Sequence, residues 1–398
     1  MKFVQIHTLH SYPGTLLNRD DAGLAKRLPF GGVERLRISS QCLKRHWRMA
    51  DDGHALGAID PAIGVSTRSR RIWKVLIHDP LVAEGLSSAT VSAVLAGMQL
   101  ELYGESKKAK AAKAGKEAEI DLERDELVVL GRPEIDYLTE EARRIVTLYG
   151  DDAKAIGTQL KALRKKFHAL RVGAGIDAAM FGRFVSGDRE ARVDAAVHVA
   201  HAFSVHEQAS EPDYFTAVDD LQAEEQGSGA GHLNTADLTS GLYYGYAVVD
   251  LPLLVSNLEA CERKDWQAAD RTLAAKTVEH LLHLVAKVTP GAKKGSTAPY
   301  DWASLVLVEA GDEQPRTLAN AFLDPVRRPP YEVNAAQALA AQVKAIDGMY
   351  GTIARRWLAT RIDGAAIPAA ESATLPAVAA AVAMAIRGDG AAQAADRR

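Results

Sequence analysis

Between Lys2 and Leu9, Val4, Ile6 and Thr8 alternate with Phe3, Gln5 and His7, the period of a strand near the middle of a sheet. A loop from Ser11 to Phe30 follows, ending at Gly31 and Gly32, glycines that permit close backbone approach to a ligand. Leu36 and Ile38 then alternate with Arg35, Arg37 and Ser39, which predicts a half-buried strand whose two arginines share one exposed face. Ser39 or Ser40 suits a helix N-cap. Beyond it Gln41, Lys44, Arg45 and Arg48 recur at i, i+3, i+4 and i+7 on one stripe, with Leu43 and Trp47 on the buried side. From about Asp51 to Ile176 the period is helical, as in an inserted helical domain. Val193 to Val205 reads as a buried helix, Gly241 to Leu251 and Leu305 to Val308 as strands, and Arg316 to Phe322 as the start of another helix. The Ala-rich stretch Pro376 to Ile386 is too short to span a bilayer and predicts a terminal helix packed on the body. This order predicts a mixed α+β body with two large insertions.

Composition moves the search from total charge to its distribution. The 398 residues carry 48 Lys and Arg against 51 Asp and Glu, a net charge of −3, so nothing global attracts a polyanion. Locally, Phe30 to Arg48 packs five Lys or Arg and one Glu into nineteen residues. A strand with outward arginines leading into a capped helix offers amides, a hydroxyl and cations to phosphate oxygens. Spacing alone leaves a solvated basic face equally open. A second basic cluster falls on the predicted helix Lys154 to Arg171, with Lys161, Arg164, Lys165 and Lys166 at its centre. Ser106 to Glu126 is charge-rich and reads as a solvated excursion. Glu207 to Gly241 holds eight carboxylates and no Lys or Arg around an aromatic island at Tyr214 and Phe215, a long excursion of the kind that carries function.

Several motifs narrow the chemistry. Two cysteines, Cys42 and Cys261, exclude a disulfide scaffold or a Cys-rich zinc site and fit a reducing cytoplasm. The N-terminus has no apolar run of the secretory kind, and no membrane partner is expected. The pairs His198/His201 and His280/His283 lack a third ligand at suitable spacing, so core or interface histidines are expected and no metal. PGAKKGST, from Pro290 to Thr297, fails as a Walker loop because three residues separate Gly291 from Gly295 and Ser296 follows. Lys293 and Lys294 still suit a nucleic-acid backbone, as an exposed loop would also allow.

Taken together, LNRDD (Leu17–Asp21), FGG (Phe30–Gly32), RLRISSQCLKRHWR (Arg35–Arg48), YFTAVDDLQ (Tyr214–Gln222) and VTPGAK (Val288–Lys293) resemble the CasC family, the repeated backbone subunit of the type I-E CRISPR Cascade complex. The blocks run in order from the N-terminus to ANAF at Ala319–Phe322, and the helical insert and tail resemble the family only in position and character. The resemblance implies an α+β fold with an RRM-like (ferredoxin-like) palm over residues 1–50 and 176–398, helical fingers over 51–175, and a long thumb hairpin over 207–241. It implies a non-catalytic subunit without cofactors that polymerises head to tail with its own copies along CRISPR RNA. It kinks the RNA at intervals and leaves the other bases to pair with target DNA, beside other Cascade subunits and a recruited nuclease. Carried by position, Arg19, Ser39, Gln41, Lys44 and Arg48 hold the RNA chain, and Arg37 and Lys293 are expected to bind it as well. Phe184 stands where the family often has a Met beneath the bases. Tyr214, Phe215, Thr216, Val218 and Leu233 form the thumb wedge, while the charge density of Lys161, Arg164, Lys165 and Lys166 makes that finger cluster a candidate for capturing duplex DNA. The alternative is a metal-dependent endoribonuclease subunit using Asp20 and Asp21, since paired carboxylates can hold Mg²⁺.

Overall fold

The alternating N-terminal segment forms the longest uninterrupted strand of its half of the chain in this computed structural model, which describes residues 1–104, 120–161, 163, 173–183, 192–218 and 230–388. In chain order the strands and helices are β1 (Phe3–Thr15), β2 (Arg27–Phe30), β3 (Val33–Ile38), α1 (Ser40–Arg48), β4 (Thr67–Ser69), α2 (Asp79–Ala83), α3 (Ser88–Tyr103), β5 (Val128–Leu130), α4 (Arg132–Tyr149), α5 (Ala153–Leu160) and α6 (Ile176–Phe181). Then come β6 (Val197–Val199), β7 (Ala202–Ser204), β8 (Ala209–Val218), β9 (Ala230–Asp250), α7 (Leu251–Glu259), α8 (Thr272–Lys287), α9 (Lys294–Thr297), β10 (Leu305–Gly311), α10 (Tyr331–Tyr350), β11 (Arg355–Thr360), β12 (Ala370–Ser372) and α11 (Leu375–Arg387). The chain divides into two units. The first comprises Met1–His54, His198–Leu251 and Val278–Arg398, and the second Ala55–Val197 with Pro252–Thr277.

The first unit is built on a ten-stranded sheet in the order β12-β11-β10-β1-β9-β7-β3-β2, with β6 and β8 also pairing along β9. β1 lies antiparallel between β10 and β9, with Leu9 opposite Leu305 on one side and Tyr244 on the other. Its strict alternation serves two buried faces. On one face Tyr12, Ile38, Ala202 and Tyr243 pack with Leu43 of α1. Trp47 of α1 and Val285 of α8 line a small cavity over the same strands, so both helices cover this face. On the other, Leu9, Phe203, Tyr244, Leu307 and Leu358 pack with Phe322 and with Ala335, Leu339 and Val343 of α10. Each fully buried aliphatic side chain is worth about 1.5–3 kcal/mol, so both faces are strongly specified.

This second face also holds a buried charge network. His7 Nε2 donates to Glu309 Oε2 at 3.1 Å and Tyr244 Oη donates to His7 Nδ1 at 2.9 Å, the arrangement of a neutral imidazole. Burial pushes the His7 pKa down. Arg356 Nε and Arg316 Nη2 each donate to Glu309 Oε1 at 2.8 Å. Burial alone would raise the Glu309 carboxyl, but the hydrogen bonds from His7 and Arg316 outweigh it and hold it well below the usual carboxylate range. Arg356 also donates to both oxygens of Asp347 on α10, at 2.6 and 2.7 Å, which ties that helix to β11.

The second unit packs its own core, including Trp73, Leu95, Met98, Leu138 and Ile145. The helical reading of Asp51 to Ile176 misses one local sheet, β4 paired with β5. Arg183 and Glu134 form a buried ion pair at 2.7 Å in this unit.

Three local expectations change. Val193 to Val205 carries the two short strands β6 and β7, and His198 and His201 are exposed, because pairing with β9 and β3 outweighs the helical look of an Ala-rich run. Arg316 to Phe322 holds only a short 3₁₀ turn at Ala319–Phe322. The acidic excursion becomes strand eleven residues before Gly241, since β9 begins at Ala230.

Candidate nucleic-acid interface

The turn from β3 into α1 is where the sequence concentrates cations, and its backbone is held from three directions. Ser39 is the N-cap, with φ −69° and ψ 147°, and its hydroxyl accepts from Cys42 N at 3.2 Å. Ser39 N donates to Asn18 Oδ1 at 2.8 Å, Ser40 N to His201 Nδ1 at 3.1 Å, and Leu43 N to Ser39 O at 3.1 Å. The helix amides expected to meet phosphate are thus largely engaged inside the protein. The polar and cationic groups that remain are side chains: Gln41 and Arg45 are exposed, and Lys44 and Arg48 are half-buried along the same stripe. His201 accepts at Nδ1 and is therefore neutral; partial desolvation of the ring, then the charges of Arg37 and Lys26, push its pKa down.

Arg35 is the clearest departure from the sequence reading. It shares a face with Arg37, but the segment around Phe322 covers that face, and Arg35 has no solvent exposure. Its guanidinium donates to the carbonyls of Phe30 at 3.1 Å, Ser204 at 3.0 Å and Phe322 at 2.9 Å. A cation that satisfies three buried carbonyls is a brace rather than a phosphate ligand. Gly31 belongs to the same brace. Its φ is +63°, and a Cβ there would lie 1.7 Å from the Leu323 carbonyl oxygen, so its close approach is to this chain's own backbone. Arg37, half-buried, remains at the rim beside His201.

Two sequence-distant elements complete the surface. The loop after α8 docks onto α1: Ala292 N donates to Leu16 O at 3.0 Å, and the His46 ring is hydrogen-bonded to the backbone of Gly291. The charge of Lys294 is felt at both Cys42 and His46, so Lys294 lies near the basic helix. On the other side, the exposed Arg19 forms an isolated bridge with Ala25. The turn between them is closed by Asp20, whose Oδ1 accepts from Ala22 N and Leu24 N, both at 2.9 Å. Asp21 is exposed.

The ribbon β8–β9 rises from the same region. Tyr214 pairs with Thr235, Phe215 with Asn234, Thr216 with Leu233 and Val218 with Ala230, after a bulge at Ala217/Val218. Tyr214 is 68% exposed. Near the ribbon's base the buried carboxylate of Asp237 accepts from Ala25 N at 3.0 Å and meets Arg27 at 3.5 Å, so ribbon and loop are locked together. Asn18, His201 and Asp237 are the positioning residues that sequence reasoning missed. All three lay in segments already singled out, Asn18 in LNRDD, His201 in a histidine pair and Asp237 in the acidic excursion, but their partners become legible only through the fold.

Other expected positions are not gathered here. Lys161 is exposed at the C-cap of α5, in the second unit, while Arg164, Lys165, Lys166 and Phe184 lie outside the described residues. His280 and His283 are buried on α8, with the His54 ring stacked on His283 at a centroid distance of 3.7 Å. Among the described residues no group of three or more His, Cys, Asp or Glu side chains is arranged to hold a metal ion, and no helix is long and apolar enough to cross a membrane.

Comparison with known proteins places this geometry in a family. A chain of a solved structure described as a CRISPR RNA-guided surveillance complex, pre-nicking, is similar with a TM-score of 0.80 and 26% sequence identity, over 96% of this chain and 100% of that one. A chain of a second structure, described as a CRISPR RNA-guided surveillance complex, shares the fold with a TM-score of 0.67 at 24% identity, over 96% and 99% of the two chains. A search of curated proteins finds no match. The model of the CT1975-like protein family matches residues 4–383, nearly the whole chain, and the protein belongs to that family.

Proposed function

We propose that this chain is a non-catalytic CRISPR RNA-binding backbone subunit of a type I-E Cascade complex. In this reading the first unit is an RRM-like palm, the second the fingers, and the β8–β9 ribbon the thumb. One observation carries it: the stripe of α1, the Lys293–Lys294 loop and the Arg19 turn, far apart in sequence, meet beside the β8–β9 ribbon in a fold similar to a surveillance-complex chain. A backbone grip needs cations along a strand's path and no base-specific contact, and this surface supplies cations on rigid supports. The palm supports the reading as well, because β10-β1-β9-β7 are antiparallel neighbours visited in the order β1, α1, β7, β9, α8, β10 with both helices on one face.

Copies then line up head to tail along the guide, with other Cascade subunits and a recruited nuclease completing the assembly in the cytoplasm. Tyr214, Phe215, Thr216, Val218 and Leu233 displace a base at intervals. Lys161, Arg164, Lys165 and Lys166 meet target DNA. The remaining guide bases stay open to pairing, so specificity belongs to the RNA.

Lys44→Ala and Arg48→Ala should each weaken RNA binding alike for unrelated guide sequences and lower the salt slope by about one, read from affinity titrations at several ionic strengths. Losses that depend on guide sequence would sink the backbone-grip reading. The rival endoribonuclease reading rests on Asp20 and Asp21. Asp20 already spends Oδ1 on two amides of its own turn, which supports a turn-forming role. Periodic cleavage of complementary RNA in Mg²⁺, abolished by Asp20→Ala or Asp21→Ala, would overturn the non-catalytic assignment.

A further inference from the structure

Two large aromatic side chains stand in solvent on a backbone that is unusually well fastened. Tyr300 is 72% exposed and Trp302 64% exposed, on either side of Asp301. The Asp301 carboxylate accepts from Ser11 N at 3.3 Å and from Arg361 at 3.3 Å. Its carbonyl accepts from Thr289 Oγ1 at 3.3 Å. Tyr300 N donates to Ala298 O at 2.7 Å, Ala303 N to Ala286 O at 2.8 Å and Ser304 N to Leu9 O at 2.8 Å. With Asp301 drawn inward, the residues at either side are held outward. Packing does not require this, since nothing apolar is gained by leaving two rings wet on a rigid support.

The surroundings favour one occupant. From Lys287 to Trp302 the chain carries three cations and one carboxylate, and that carboxylate is already engaged by an amide and an arginine. Lys287 Nζ sits 5.1 Å from the centre of the Trp302 ring. The segment is also continuous with the cationic loop that docks on α1. Asp301 is fastened at Ser11 and Ala292 at Leu16, five residues apart across an irregular stretch of β1 and just beyond it, at most roughly 16 Å. A strand held at Lys293 and Lys294 reaches the rings within a few nucleotides. Aromatic platforms beside cations bind single-stranded nucleic acid by stacking, which tolerates every base.

We infer that Tyr300 and Trp302 form a stacking platform for a base of single-stranded RNA lying along this surface, an assignment that rests on the RNA-binding reading above. The protein supplies its own probe. Its five tryptophans are Trp47, Trp73, Trp266, Trp302 and Trp357, and the other four are at most 8% exposed, so the acrylamide-accessible emission belongs to Trp302.

The test titrates the full chain with a uridine oligonucleotide while following binding independently by anisotropy of the labelled RNA. RNA should quench the accessible emission and shield it from acrylamide. Trp302→Ala should weaken binding about 5- to 100-fold, and Trp302→Phe should keep most of the affinity while losing the signal. RNA binding with unchanged acrylamide access to Trp302 would overturn the platform and leave the RNA-binding reading intact. Failure of the wild-type chain to bind RNA would remove both. Shielding that appears without RNA and grows with protein concentration would assign the rings to a second copy instead.

Discussion

At the scale of single residues, charge and conformational freedom are spent in places that their neighbours in sequence do not announce. Arg35 and Arg37 are two positions apart with the same period, yet one braces three buried carbonyls and the other stays at the rim. Arg35→Met should cost about 3–5 kcal/mol in denaturant unfolding, because the hydrophobic replacement leaves those carbonyls unpaired. Gly31 and Gly32 make a sharper comparison. Both have positive φ, +63° and +78°, but only at Gly31 would a Cβ meet backbone, while Gly32 faces open space. Gly32→Ala should cost about 1–2 kcal/mol from the left-handed backbone alone, and Gly31→Ala clearly more, with the denaturation slope unchanged in both. Equal costs would mean that the Leu323 carbonyl gives way without penalty. The glycines were visible in the sequence; what approaches them was not, because that neighbour lies about three hundred residues away.

At the scale of elements, local signals decide some structures and long-range pairings the others. The strand β3, the cap at Ser39 and the amphipathic stripe of α1 follow from spacing, since each is decided within a few residues. The short strands β6 and β7 are not legible locally, because VDAAVHVAHAFSV has helix-compatible composition and takes strand geometry only from the partners beside it. The same dependence appears in the support of α1. Asn18→Ala removes the acceptor for Ser39 N and should lower stability by about 1–2 kcal/mol and weaken RNA binding, with the salt slope unchanged because every cation is retained. Asn18→Asp keeps the acceptor and should restore most of the stability. A fall in salt slope for Asn18→Ala would show that the cations had moved as well.

At the scale of the whole molecule, buried ionisable groups on both faces of the sheet link folding to pH. Burial pushes His10 from 6.5 down to about 4. Its folded form stays neutral while the unfolded chain takes up a proton, so stability is present above pH 6.5 and is lost as the pH falls from there toward 4, by roughly 3 kcal/mol for this group. Glu309, held below the usual carboxylate range, adds a second loss that begins as the pH drops through that range. Thermal unfolding should therefore soften in two stages on acidification, and His10→Asn should shrink the first stage, to which His7 and His283 also contribute, without removing the second. A single transition confined to the carboxylate range would contradict the buried neutral histidine.

The sequence by itself determined the α+β class, the basic strand and helix, the cap, and the presence of an acidic excursion apart from the cations, because each depends on periodicity or composition within a short window. Only the tertiary structure decided which arginine is a brace, that the loop after α8 docks on α1, that β8 and β9 pair as a ribbon locked by Asp237, and that Tyr300 and Trp302 are held outward. Those facts depend on what covers a residue. Cover comes from segments hundreds of positions away, whose arrival is fixed by sheet order and by the burial of two faces at once.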